Sequence, residues 1–217
     1  MSRSLPNEMS PPTRTRWADE RLRTAILTGE FAPGQRLRAE HLAEVFGVSP
    51  TPLREAFQRL AGEGLITIEP QRGARVASID ARSGVELYDI RLALEPKALQ
   101  ASVRASDTQH RNEVEIALKS LESRSSTIAE ALDKHRAFHL VLLNRCGNTR
   151  LLTLIAQLHD QSERYQLVAA VALANQSLHS HHRAIANAVI EGNVRTAGSA
   201  LKHHLKTVRD IIERTEP

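Results

Sequence analysis

Between Leu37 and Ile66 the chain reads LRAEHLAEVFGVSPTPLREAFQRLAGEGLI, and this stretch limits the possible folds more than any other. Apolar residues recur at helical spacing over Ala39–Phe46 and again over Thr51–Ala61, with only a Gly-Val-Ser turn between the two runs. Ser49 is available to cap the second helix, and Pro52 is tolerated in its first turn, where no backbone donor is needed. Leu42, Ala43, Val45, Phe46, Val48, Leu53, Ala56, Phe57 and Leu60 are expected to form a shared core. Upstream, Trp17, Leu22, Ala25 and Ile26 mark a helix that begins near Arg14 and ends near Gly29. Downstream, GLITIEPQRGARVASI changes the apolar period and carries a Pro/Gly turn, which predicts a short hairpin.

A helix, a tight turn, a second helix and a hairpin wing form an arrangement whose second helix can enter a DNA major groove. On that reading Arg54 and Arg59 are the first residues to inspect for DNA contact. Thr51, Gln58, Arg36 and Arg38 are placed to meet phosphates or base edges, and Arg72 and Arg75 extend the contact through the wing. Charge does not decide the matter. Residues 1–80 carry a net charge of only +1 and the remainder +3, within a total of +4, so any preference for DNA must come from local geometry.

Residues 1–13 are expected to be a flexible tail and 14–77 the winged domain, with the boundary near residues 77–82, where Asp80 and Ser83 precede a sustained helical run. The remainder, 83–214, predicts helices over 83–104, 107–123, 126–146, 149–173, 177–191 and 194–214, with Pro96 able to kink the first. The fold expected is mainly α: a winged helix-turn-helix followed by an all-helical antiparallel bundle. Aromatic residues make up only 3%, so Leu, Ala, Val and Ile must build the interior. Cys146 is the only cysteine, which excludes an intrachain disulfide and a thiolate-rich metal cluster within one chain. With no signal-like apolar run and no stretch of about 18 apolar residues, a cytoplasmic protein without a membrane partner is expected.

In LDKHRAFHLV, His135 and His139 are four apart and share one helix face, so they could converge on an ion or simply form a polar face. His182 and His204 lie on two further predicted helices. Each has a histidine neighbour, His181 and His203, and spacing cannot select the inward member of either pair. Arg91 could grip a carboxylate bidentately, or could instead pair with Glu95 one turn away.

GEFAPGQRL, LAEVFGVSPTPLREAFQRLAGEGLI and RGARV together resemble the GntR family of bacterial transcription regulators. The segments LYDIRLALEPKALQASV, HRAFHLVLLNRCGN and HHRAIANAVIEGNVRTAGSALKHHL resemble the helical effector domain of its FadR-type, or FCD, branch. The resemblance implies a homodimer that reads a palindromic operator, with Arg54 as the recognition-helix arginine. Two departures bear on recognition: Pro50 stands where an arginine is common, and His41 where a polar or basic residue is common.

For the second half the resemblance implies a metal set of His135, His139, His182 and His204, with His135 replacing a usual Asp or Asn. It also implies an effector site for a small organic acid, with Arg91 its characteristic arginine and Tyr88, Asn144 and Asn148 as further candidates. Imidazoles suit borderline ions, so zinc is expected first, with nickel or manganese as alternatives. Should His135 not ligate, three histidines and a water remain. The leading expectation is thus a repressor released from DNA by an organic acid bound near the metal. An effector-independent DNA-binding protein with a structural metal is the main alternative. A metal-dependent hydrolase is a distant one, since no general base such as the Glu of HExxH accompanies the histidines.

Overall fold

The computed structural model describes residues 14–69, 73–78, 80–172 and 178–214. The expected tail at 1–13 and Arg72 in the wing turn lie outside these residues. The chain divides after Ala77 into two compact units.

The first unit contains α1 (Arg14–Leu27), β1 (Arg36–Leu37), α2 (Ala39–Phe46), α3 (Pro50–Gly62), β2 (Ile66–Glu69) and β3 (Gly73–Val76). Helix α2 stops where Gly47 adopts the left-handed conformation (φ 65°), returning its N–H to the Ala43 carbonyl. Helix α3 starts after Ser49, whose backbone is extended as a cap requires, although its side chain makes no capping bond. Leu22, Leu42, Leu53, Phe57 and Leu60 close the core against Leu65 and against Leu37, Ile66, Ala74 and Val76 of the sheet.

Two features depart from expectation. Val45 is 63% exposed instead of buried. At 100° per residue it lies about 110° round α2 from the middle of the face formed by Ala39, Leu42, Ala43 and Phe46, so it cannot reach the core. The wing is a three-stranded sheet in the order β1-β3-β2, with Arg36 opposite Arg75 and Leu37 opposite Ala74. A two-residue strand has no period to read, and only the packing of Leu37 reveals it.

The second unit is a bundle of α4 (Ala81–Arg104), α5 (Thr108–Glu122), α6 (Ile128–Leu143), α7 (Thr149–Ala172), α8 (His179–Ile190) and α9 (Val194–Arg214). Short polar side chains start most of these helices. Asp80 accepts from the N–H groups of Arg82 and Ser83, Asp107 from His110, Thr127 from Glu130, Asn148 from Leu151 and Asn193 from Thr196. Helix α4 continues through Pro96 and packs along α9. The two approach closely at Gly198, where an added Cβ would stand 2.6 Å from the Gln100 amide nitrogen. The core, including Leu99, Phe138, Leu142, Ile155, Ile185, Leu201 and Leu205, fills the space between the helices and forms the apolar surround of the polar cluster described next.

Candidate functional site

Helices α6, α8 and α9 each turn histidines into the bundle. His135 and His139 come from successive turns of α6, His182 from α8 and His204 from α9; His139, His182 and His204 are 1%, 4% and 2% exposed, and His135 is partly buried. One ring nitrogen from each of the four can be chosen so that all lie within 4.8 Å of one another. Ring centroids are 4.6 Å apart for His135–His139 and for His182–His204, and 5.4 Å for His139–His182.

These rings carry polar atoms with no protein partner: His135 Nδ1, His139 Nε2, both nitrogens of His182 and His204 Nδ1 are buried without a hydrogen bond. Buried polar atoms are ordinarily paired, so several orphaned nitrogens converging on one point mark a place built for something else. Burial, followed by the neighbouring histidines, holds His135, His139 and His204 well below the usual imidazole range. Burial, His179 and His181 bring His182 down to about 3. The rings are therefore neutral near pH 7, with lone pairs available for coordination. An ion with bonds of about 2.1 Å places its nitrogens about 3–4 Å apart, a contraction within reach of side-chain rotation. The donor set fits a borderline divalent ion better than a hard one such as magnesium.

Arg91 takes the less ambitious of its two expected roles. Its guanidinium is 1% exposed, and its Nε donates to Glu95 Oε1 at 2.5 Å and its Nη2 to Oε2 at 3.4 Å. Nη1 donates to Ser162 Oγ at 3.0 Å, and Nη2 lies 3.1 Å from His159 Nε2. Tyr88, also buried, places its ring under the guanidinium at 4.8 Å. Burial alone would raise the Glu95 carboxyl, but Arg91 and His159 together outweigh it and bring it down to about 2.

Asn144 stands at the C-terminal end of α6 and donates to Glu113 at 3.3 Å; it is not among the residues brought to the cluster. Asn148 caps α7. Sequence reasoning missed His159, which is fully buried on α7 with its ring 5.2 Å from that of His139. Its spacing to Ser162, one turn on along an inward face, was the only signal. Glu95, His139 and His159 also offer ligand atoms within 4.8 Å of each other. With Glu95 engaged by Arg91, this second set works as a buried charge network beside the four histidines.

In the first unit, Arg36, Arg38, Arg54 and Gln58 line one concave surface of about 400 Å³, with Glu40 and the floor residues Phe57 and Ala74. Thr51 is exposed at the start of α3. Arg54 Nη2 meets Glu40 Oε1 at 2.5 Å while both side chains remain largely exposed. Two expected DNA residues are engaged elsewhere. Arg59 turns to Asp19 at 3.4 Å and the Thr15 carbonyl, and Arg75 joins Glu69 at 3.1 Å and the Gly34 carbonyl. Among the described residues, no helix is long and apolar enough to cross a membrane.

The model of the bacterial regulatory proteins, gntR family, matches residues 15–76, and the FCD domain model matches residues 86–207. An HTH-type transcriptional regulator in an unstable DNA locus of Streptomyces ambofaciens is 31% identical, over 89% of this chain and 83% of its own. The HTH-type transcriptional repressor GlaR of Escherichia coli is 27% identical, over 89% of this chain and 93% of its own. The crystal structure of a GntR transcriptional regulator from Rhodococcus sp. RHA1 superposes with a TM-score of 0.76 at 25% identity, over 95% of this chain and all of that one. The winged unit and the helical unit are thus the two halves of one known architecture, and the chain belongs to the GntR family with an FCD-type C-terminal domain: it is a DNA-binding transcriptional regulator, not an enzyme.

Proposed function

We propose that this regulator is a homodimeric repressor whose helical unit holds a divalent transition metal on His135, His139, His182 and His204 and is released from a palindromic operator by a small organic acid. The observation that carries the metal reading is the convergence of four neutral imidazoles, three buried and His135 partly buried, with orphaned nitrogens. Zinc fits this donor set first, with nickel or manganese as alternatives. A bound ion would supply Lewis acidity and two positive charges that neutral imidazoles do not offset, an environment that favours an anionic ligand at its remaining positions. The similarity to GlaR, a transcriptional repressor, supports the direction of regulation.

The division of labour follows the two units: residues 14–77 bind DNA, and 83–214 bind the effector and dimerise. Arg54 on the exposed face of α3 is the leading base contact, with Arg36, Arg38 and Gln58 beside it on the same concave surface. Thr51, Arg59, Arg72 and Arg75 complete the set, the engaged Arg59 and Arg75 by exchanging their present partners for phosphate. An effector carboxylate reaches Arg91 only by displacing Glu95, with Tyr88 alongside; Asn144 is peripheral to it. To change DNA affinity, the acid must bind the DNA-free and DNA-bound arrangements unequally.

The sealed Arg91–Glu95 pair favours a second reading, a structural metal in a regulator without an effector. Elemental analysis of gently purified protein, together with operator binding measured with and without a panel of small carboxylates, separates the two. One equivalent of metal per chain with acid-dependent binding supports the sensor; metal with no acid effect supports the structural site. No metal after supplementation rejects both. Arg54→Ala should weaken operator binding by about 1–3 kcal/mol with helicity unchanged; equal affinity would remove Arg54 from the interface.

A further inference from the structure

The doubled histidines of α8 and α9 leave one ring of each pair unused by the four-histidine cluster. His181 precedes His182 and His203 precedes His204, so each points about 100° away from its inward neighbour. Because α8 packs against α9, the two turned-away rings meet: their centroids are 4.9 Å apart, tilted by 54°. His203 is exposed and His181 partly buried, with its Nδ1 buried and without a hydrogen-bond partner. The ring of His181 also stands edge-on to that of His204 at 5.9 Å. His203, His181 and His204 therefore form an unbroken file of imidazoles from the surface to the buried cluster.

We propose that His181 and His203 form an outer metal site that takes a divalent transition ion from solution and passes it to the four-histidine site. Two imidazoles on neighbouring helices can each offer one nitrogen to the same ion. No third histidine, cysteine or carboxylate among the described residues joins the pair to make a larger ligand set, so water fills the remaining positions. Such a site selects ions that favour imidazole, copper(II), nickel and zinc above magnesium or calcium, and holds them more loosely than four ligands do. Loose binding suits transfer. An ion moving inward exchanges water and His203 for His204 without losing all its protein ligands at once, whereas His139, His182 and His204 are too buried to meet a hydrated ion directly.

The inference rests on the proposed metal site, and two measurements on the full-length protein keep their failures apart. The first is uptake of cobalt(II) by metal-free protein, followed by its visible absorption in rapid mixing. With one equivalent of cobalt supplied, the His181→Gln/His203→Gln variant should reach the same final spectrum as the parent, both with the ion in the buried site, while the uptake rate falls by about tenfold or more. The second is copper(II) paramagnetic resonance on protein loaded with one equivalent of zinc, which fills the tighter four-histidine site. The parent should show a signal with two coupled nitrogens, and His203→Gln should lose it. Equal uptake rates, as expected if ions enter past the partly buried His135, would overturn the transfer; identical copper signals would overturn the outer site. A parent that takes up no cobalt would reject the buried site and with it the transfer, while the copper signal still decides the outer pair.

Discussion

Replacing Glu95 by glutamine keeps the side chain's shape and removes its charge, so it isolates what the carboxylate does for Arg91. Both residues are sealed from solvent, at 0% and 1% exposure. The Glu95 carboxylate takes two donors along one edge of the guanidinium, Nε and Nη2, while Ser162, at 3.0 Å, contributes a neutral acceptor only. Two unit charges about 4 Å apart attract by about 4 kcal/mol at an effective dielectric near 20. Removing one member of a buried pair costs about 3–5 kcal/mol, because the survivor keeps its desolvation penalty. Against a typical stability of about 5–15 kcal/mol, that is a large fraction. At about 2–4 °C per kcal/mol for a chain of this length, Tm should fall by about 10 °C. The assay is urea and thermal unfolding of metal-free parent and variant by circular dichroism. Arg91→Met/Glu95→Met should recover most of the loss, since well-packed apolar pairs replace buried ion pairs with little penalty. Millimolar formate or acetate should raise the stability of Glu95→Ala, in which the carboxylate's place is open, and leave the parent unchanged, which would mark Arg91 as a carboxylate receptor once it is vacated. A loss below about 1 kcal/mol would falsify the reasoning, because the guanidinium would then not depend on Glu95.

The remaining expectations concern the same bundle. His135→Asp restores a carboxylate to the cluster, so the protein should retain one ion per chain and shift its preference toward manganese in competitive loading; an unchanged preference would mean that residue 135 does not ligate. Gly84→Ala places a Cβ 2.6 Å from Tyr165 Cε1 and 2.7 Å from Ile212 Cγ2, an overlap expected to cost about 1–3 kcal/mol in denaturant unfolding. Acid should weaken the metal-free protein. The four histidines have folded pKa values below their unfolded value of about 6.5, so the unfolded chain binds more protons as pH falls below that point. Stability should be level above pH 6.5 and then drop by up to about 1.4 kcal/mol per pH unit for each ring that stays neutral only when folded, and a flat profile from pH 7 to 5 would contradict the burial of these rings.

Much of the helical framework could be read locally. The boundaries of α2 follow from its apolar spacing and from Gly47, which alone relieves the left-handed turn that ends the helix. Asp80 could be placed before α4 because a short carboxylate is the side chain that reaches free N–H groups one turn ahead. Val45 went the other way. Its apolar character placed it in the core, but a two-turn helix has only one buried face, and rotation about the helix axis puts Val45 outside it.

The candidate site divides along the same line. His135 and His139 share a face because a helix repeats every 3.6 residues, and this much needs no tertiary information. Arg91 and Glu95 were within reach of each other for the same reason, yet whether they paired or parted for a ligand depended on how α7 closed over them with His159 and Ser162. His159 left almost no trace in the sequence, since its importance comes from lying beside His139, 20 positions away along the chain.

What the sequence determined by itself is therefore what short-range geometry controls: the helix-turn-helix with its wing, the helical run beyond it, their caps, and the shared face of one histidine pair. Spacing left open which member of each HH doublet faces inward, although the family resemblance named His182 and His204; tertiary structure alone decided that the outward members meet and that Arg91 is closed off by Glu95. Those outcomes depend on the rotation and docking of helices against one another, set by burying Leu, Ile and Phe faces across the whole bundle, and no window of adjacent residues contains that information.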